Sequence, residues 1–405
     1  MIRFILDPAR SGLIFALAIF LGYAVTPVIF TFQTQTDNGY LRLSAVTVVA
    51  VVSVLVGFLG KSRILTGDHK IEVSMETFTA LVWVPFLLIA ALIVATAPAI
   101  PLVTAIMGGS PDLIALQREE FLKSREGVEA IFVYLNAFFT GAIIPYSISL
   151  MFIHRFRWRW ILTIFFIVYA ISFAEKAFFL KVMLPLLYLF GTGSVTSRFG
   201  PKTTLAAGAA ILLLVTTLSG SGASVTAGGG SADFFSSDYT PSSPLVHIIW
   251  RSFAVPVFTA ADSISVFDIY FHNHPFFGAT SSFLAPIFGE TRIPFERIVF
   301  EYQWGQNETG TGSSNAVYIV EALVNFSWYG IILFSLFIGR SLKWFARSHD
   351  EAFRSIWPLY VLGLYSAGLI GQLLSNGFLF LLFFGLFFDV RPRSAPAARA
   401  EVSLQ

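Results

Sequence analysis

The chain contains no cysteine, which excludes disulfides, thiolate metal sites and cysteine nucleophiles. It is also poor in charge. Only 12% of its residues are Asp, Glu, Lys or Arg, about half of the roughly 25% usual in soluble domains. Too little polar surface remains to face water, and the mean hydropathy of +0.74 agrees. The signatures of nucleotide-driven and hydrolytic enzymes are missing as well: no P-loop, no Gly-rich dinucleotide fingerprint, no GxSxG and no HExxH. The formal net charge of +2 is uninformative as a total, and its distribution matters more; no nucleic-acid partner is expected. Neither a cofactor nor a metal is indicated.

What is present is a series of apolar runs of about 20 residues, the length that spans a bilayer as a helix. They fall near 12–32, 41–60, 78–98, 129–153, 160–174, 177–192, 203–219, 316–339, 356–373 and 374–390. The runs are continuous, not alternating, which argues against a strand barrel. The first has no small-residue cleavage site followed by a polar domain, and reads as a retained helix. The expected fold is therefore an all-α polytopic membrane protein of about ten transmembrane helices. Residues 1–219 carry the first seven, 316–390 the last three, and 391–405 form a tail.

The basic residues orient these spans. Arg3, Arg10, Lys61, Arg63, Lys70, Arg155, Arg157, Arg159, Arg198, Lys202, Arg340, Lys343, Arg347, Arg354, Arg391, Arg393 and Arg399 all fall on one side of a ten-span arrangement. That is 17 of the 26 Lys and Arg, in short segments, as the positive-inside rule requires. Both termini are then cytoplasmic. The opposite side carries one large loop, 220–315. Its Gly/Ser-rich start reads as a flexible strand or lid. From Leu245 to Ile287 it is rich in Phe, Ile and Val, as expected of helices lying on or dipping into the membrane. No internal repeat supports an inverted-repeat transporter.

Charge against the membrane marks the candidate chemistry. Glu175, Lys176 and Lys181 cluster where the fifth and sixth helices meet, either as a structural pair with a snorkelling lysine or as two cations for a lipid-linked phosphate. Glu321 and Asn325 lie one turn apart on the eighth helix, solvated or lining an outer cavity. Arg251, in HIIWRSFAVPVF, either pairs with Asp262 or Asp268 or clamps a phosphate. Arg292 and Arg297 add cations beside Glu290, Glu296 and Glu301. His272 and His274 lack a third ligand at metal spacing, leaving a base or a turn before Pro275. Asn307, Glu308 and Thr309 match a short glycosylation sequon.

Three stretches carry a family likeness: ISFAEKAFFLKVMLPLLYLF, then WRSFAVPVFTAADSISVFDIYF with HPFFGATSSFLAPIFG, and SSNAVYIVEALVNFSWYGIILFSLFIG. In these the chain resembles the O-antigen polymerase (Wzy-type oligosaccharide repeat-unit polymerase) family. The likeness covers about half the chain, and it departs from the family's pattern where Ile331 replaces a common second glycine after Gly330. The resemblance implies a GT-C-type membrane glycosyltransferase of the bacterial inner membrane, acting at the periplasmic face. It implies transfer of a growing glycan from undecaprenyl diphosphate to a hydroxyl of an incoming lipid-linked oligosaccharide, with a chain-length regulator as a further partner. Arg251, Lys176, Lys181, Arg292 and Arg297 would then stabilise the leaving diphosphate without a metal. Glu321, Asp262, Glu301, His272 and His274 are the candidate bases, and Trp250, Tyr270, Tyr302 and Trp304 the sugar-stacking aromatics. The alternatives are an O-antigen ligase with a different acceptor, a flippase for lipid-linked oligosaccharide, or a non-catalytic scaffold. A flippase would bury charge near mid-membrane, whereas the charges here group toward the outer ends of the helices.

Overall fold

The structure, a computed structural model, describes residues 2–34, 38–61, 70–118, 120–121, 125, 127–172, 180–195, 200–218, 234–305 and 312–392. Glu175, Lys176 and the sequon at 307–309 lie outside these, as do Arg63, Arg198, Arg393 and Arg399. The protein is mostly helical. In lipid every backbone N–H and C=O must be satisfied within its own segment, so continuous apolar runs become helices. They form α1 (Pro8–Thr31), α2 (Asn38–Leu59), α3 (Met75–Thr96) and α4 (Ala130–Ile153). Near 160–192 the described residues form α5 (Arg159–Ser172) and α6 (Leu180–Thr192), followed by α7 (Pro201–Leu218). Next come α8 (Leu245–Phe271), α9 (Phe295–Trp304) and α10 (Tyr318–Arg347). The chain closes with α11 (Trp357–Ser366), α12 (Leu369–Leu374) and α13 (Phe378–Phe387). Among the described residues, six helices are long and apolar enough to cross a membrane: α1 to α4, α8 and α10.

The tightest seam joins α2 to the second half of α10, and small residues set its closeness. A Cβ on Gly339 would sit 2.8 Å from the Phe58 nitrogen, and one on Gly57 would sit 3.1 Å from the Gly339 Cα. At the end of this seam Arg340 donates to the Gly60 carbonyl at 3.1 Å and Lys343 to the Leu59 carbonyl at 3.3 Å. These carbonyls close α2, where a helix has no internal donors left and cations are favoured.

The segments that the sequence groups as basic meet at this same end. Ser11 donates to the Leu342 carbonyl at 3.4 Å, and the Trp357 indole to the Leu6 carbonyl at 3.1 Å. Lys70 reaches the Gly385 carbonyl at 2.8 Å. Strands β1 (Ile71–Ser74) and β2 (Phe388–Arg391) pair in parallel, Ile71 opposite Phe388 and Ser74 opposite Arg391. Tyr188 donates to Glu351 at 3.2 Å and Tyr146 to Asp350 at 2.6 Å. Burial pushes the Asp350 carboxyl up, while the Tyr146 hydroxyl and the Phe353 and Ala352 N–H groups that it caps hold it down.

Three of the expected spans differ because the backbone breaks inside them. In α10, Phe326 (φ −135, ψ 15) and Ser327 (φ 55, ψ −149) are not helical. The Tyr318 and Ser335 hydroxyls lie 3.1 Å apart although 17 residues separate them; a straight helix would hold them about 25 Å apart. Residues 318–325 therefore fold back along 328–335 as a helical hairpin, and the 30-residue length overstates a crossing. The runs at 356–373 and 374–390 differ likewise: α11 stops at extended Ala367 and Gly368, and α12 is separated from α13 by left-handed Gly377. A Cβ on Gly22 would meet Tyr365 Cε2 at 3.2 Å, and one on Gly141 would meet the Asn376 Cα at 2.7 Å. Gly22 and Gly141 sit near the middle of α1 and α4, in π-helical turns Leu21–Val25 and Phe139–Ile143. The breaks thus lie about halfway along the bundle.

Helix α8 has spanning length, 27 residues, within what the sequence assigns to the outer loop. Three of its contacts lie at one end of the bundle. Phe253 meets Phe235, which meets Phe30; a Cβ on Gly39 would touch the Ala261 carbonyl at 3.0 Å; and Asp268 pairs with Arg42. All three anchors belong to the last turn of α1 or the first turns of α2, so α8 packs against that end of both helices.

Candidate functional site

The half-helix 318–325 and the α11–α12 break enclose a polar cavity of about 340 Å³. Glu321 stands in its wall. Its Oε2 accepts the Ile370 N–H at 3.1 Å, one of the first N–H groups of α12, which have no partner within their own helix. Gly368 makes the approach possible, since a Cβ there would sit 2.7 Å from the Glu321 carboxyl carbon. One turn on, Asn325 donates to the Thr280 hydroxyl and to the Glu321 carbonyl, each at 2.8 Å. The Phe276 and Phe277 N–H groups donate to the Val324 and Asn325 carbonyls at 2.9 Å, satisfying the end of the half-helix with the chain that follows α8.

The other walls are polar. Asn376 donates to Gln372 at 2.7 Å on the α12 side, and Ser281, Ser282, Arg292, Glu296, Ser314 and Asn315 complete the lining. Burial pushes the Glu296 carboxyl up, and the positive charge of Arg292 and Arg297 pulls it part of the way back. A second cavity of about 350 Å³ contains Arg251, Thr259, Gln303 and Trp304. Arg251 lies in a further π-helical turn, Trp250–Ala254; such turns recur at functional sites. Ser314 and Asn315 line both cavities, so the extended segment before α10 is their shared partition. Non-helical backbone at this depth is tolerated where it borders a hydrated cavity. Gln303 ties the partition in place, donating to Asp262 at 2.7 Å and Thr259 at 3.2 Å while accepting the Ser314 hydroxyl at 2.6 Å.

Of the candidate residues, Glu321 and Arg292 thus share one cavity, Arg251 and Trp304 share the next, and Asp262 joins them through Gln303. Glu321 sits at the depth of the helix breaks, deeper than an interfacial acid. Tyr270 is exposed, its ring edge-on to Tyr302 at 6.5 Å, and Arg297 and Glu301 lie exposed on α9. His272 ends α8 in the left-handed conformation with φ 49, followed by Asn273 with φ 62. His272 and Asn273 thus form the turn that follows α8, and neither histidine lines either cavity. Lys181 donates to Thr140 at 3.3 Å, away from both. Among the described residues no three His, Asp or Glu stand together as a metal site. Residues passed over in the sequence include Gln303, Thr280, Gln372 and Asn376. The available signal was small polar clusters, SSN and SN, inside otherwise apolar runs.

No protein family, curated protein or solved structure matches the chain. The functional reading therefore rests on the site.

Proposed function

We propose that the protein is a lipid-linked glycan polymerase that transfers a glycan from undecaprenyl diphosphate to a hydroxyl of an incoming repeat unit. The observation that carries this reading is the pair of adjoining cavities, one holding Glu321 and Arg292 and the other Arg251, divided only by Ser314 and Asn315. In the reaction the acceptor oxygen forms a bond to the anomeric carbon and gives its proton to the Glu321 carboxylate. The bond from that carbon to the phosphate oxygen breaks, and the departing diphosphate takes the electron pair. Arg251 and Arg292 offset the developing negative charge. Glu321 suits the base because a carboxylate held by a backbone N–H keeps one orientation.

We read the basic end of the bundle as cytoplasmic, with both termini there and α11 and α13 as a half-length pair completing about ten membrane-entering helices. The cavities then open toward the periplasm beneath α8 and α9, beside lipid that shelters the polyprenyl chains. The test is Arg251→Ala in cells that make a polymeric glycan. The expected result is loss of long glycan ladders with normal membrane insertion; unchanged ladders would overturn the reading.

Transport of a lipid-linked oligosaccharide is the second reading. It is favoured by two discontinuous helices meeting at mid-depth, as in many transporters, and by Glu321 at that depth. Purified protein in detergent has no compartments, so lengthening of lipid-linked glycan there supports catalysis and its absence supports transport.

A further inference from the structure

The turn from α4 to α5 reads HRFRWRW from His154 to Trp160. It lies at the basic end, far from the cavities described above. Helix α4 closes with the Phe156 N–H on the Met151 carbonyl at 2.8 Å and the His154 N–H on the Leu150 carbonyl at 2.9 Å. The residue between them, Arg155, is left-handed with φ 52. Glycine fills such positions most cheaply, so an arginine here costs stability and places a guanidinium at a fixed turn.

Beneath this turn α3 and α5 part. They are joined by rings at one level, where Phe86 meets Phe166 at 5.8 Å and Tyr169 at 5.4 Å. Toward the basic end they enclose a groove of about 690 Å³. From Thr79 to Phe86 the groove runs about 10 Å of helix rise. Its depth is apolar, with Trp83, Val84 and Leu162, and its mouth holds His154, Arg155, Arg157 and Trp158, with Glu76 as the acidic member. The Trp83 indole donates to Ser147 at 2.9 Å, which fixes that wall.

Thr79 points to an occupant. It is 7% exposed, lines the groove, and its hydroxyl has no hydrogen-bond partner. An orphaned buried hydroxyl costs about 1–3 kcal/mol unless an acceptor arrives. Two arginines at the mouth, then a hydroxyl donor, then an apolar slot match the phosphate, the ester oxygen and the acyl chain in their order along a phospholipid at the interface.

We propose that this groove binds one anionic phospholipid, its phosphate at Arg155 and Arg157, an ester or glycerol oxygen at Thr79, and the upper part of one acyl chain against Val84 and Leu162. Guanidinium groups match phosphate geometry, and basic pockets between membrane helices are a recurrent lipid-headgroup site. The proposal is independent of the glycosyl-transfer reading.

The test uses the purified full chain with a photoactivatable phosphatidylglycerol carrying its reactive group near the glycerol. The expected result is peptide labelling at residues 79–84 and 158–162. Unlabelled phosphatidylglycerol should compete, whereas phosphatidylcholine and inorganic phosphate should not. Each arginine contributes about fivefold, so Arg155→Gln with Arg157→Gln should weaken labelling roughly thirtyfold. Val84→Trp, at a position 54% exposed, keeps the charges and fills the slot; it too should abolish specific labelling. Equal labelling by a phosphatidylcholine probe, or no change in the double variant, would reduce the groove to ordinary lipid contact and overturn the proposal. Competition by inorganic phosphate alone would identify a free-anion site and overturn it equally.

Discussion

The basic end and the middle of this bundle are built on opposite principles. At the basic end Gly57 and Gly339 bring two helices into backbone contact, and Arg340 and Lys343 close off the last carbonyls of α2. At mid-depth glycines create openings. Gly368 lets a carboxylate reach a helix N-terminus, and Gly377 turns the chain between two short helices. One set of close approaches removes space, the other makes a polar site. Substitutions at equivalent glycines should therefore fail differently.

The largest effect is expected at Gly368→Ala. Its φ of −70 suits alanine, and the atoms in the way belong to the Glu321 carboxyl, which can move. Displacing a reacting group by about 1 Å costs on the order of 100-fold in rate. Glycan elongation by purified protein should fall by about that factor, with the melting temperature nearly unchanged. Gly339→Leu should do the reverse. Overpacking against backbone costs about 1–3 kcal/mol, read as a lower melting temperature in detergent, while the surviving folded fraction elongates normally.

Asn325→Ala tests the boundary between the two behaviours. It strands the Thr280 hydroxyl and N–H that Asn325 pairs, so about 1–2 kcal/mol of stability should be lost together with part of the activity. A variant that lost only one of these would break the contrast drawn here.

A pH series sharpens it further. Burial raises the Glu296 carboxyl above its ordinary value, so ionising it opposes folding. Below about pH 4.3 the carboxyl is neutral in folded and unfolded chains alike, and Glu296→Gln should not change the melting temperature. As pH rises from there toward the raised folded value, the variant should gain stability over the parent, and it should hold that gain at higher pH. The smallest effect belongs to Arg391→Ala. Arg391 pairs with Glu72 and Asp389 at the solvent-exposed strand pair, and such pairs contribute little; no change in melting temperature or elongation is expected.

The sequence made α1 to α4 legible because lipid-facing helices are unbroken apolar runs. The breaks were hidden for the same reason: Phe326, Ser327, Ala367 and Gly368 lie in windows whose hydropathy stays high, and hydropathy does not report backbone direction. Glu321 was visible as an acid in an apolar helix. Its partner was not, because the Ile370 N–H is a donor only through the break before it, and backbone donors have no residue signature. Arg42 lies at the start of the 41–60 run, and its pairing with Asp268 depends on α8 packing against α2, which no local window of sequence reports. The length of α8 was obscured by Arg251, Asp262 and Asp268, which lower its hydropathy to 1.3 against 2.4 for α1.

The central claim is that Glu321 takes a proton in glycosyl transfer within the outer cavity. The direct measurement is elongation of undecaprenyl diphosphate-linked repeat units by the detergent-purified protein, comparing the parent chain with Glu321→Gln, which keeps the shape of the side chain. The account predicts lengthening by the parent and a loss of about 100-fold or more in the variant, with both proteins monodisperse and equally stable to heat or the variant slightly more so. Lengthening at the parent rate by Glu321→Gln, or none by either protein, would contradict it.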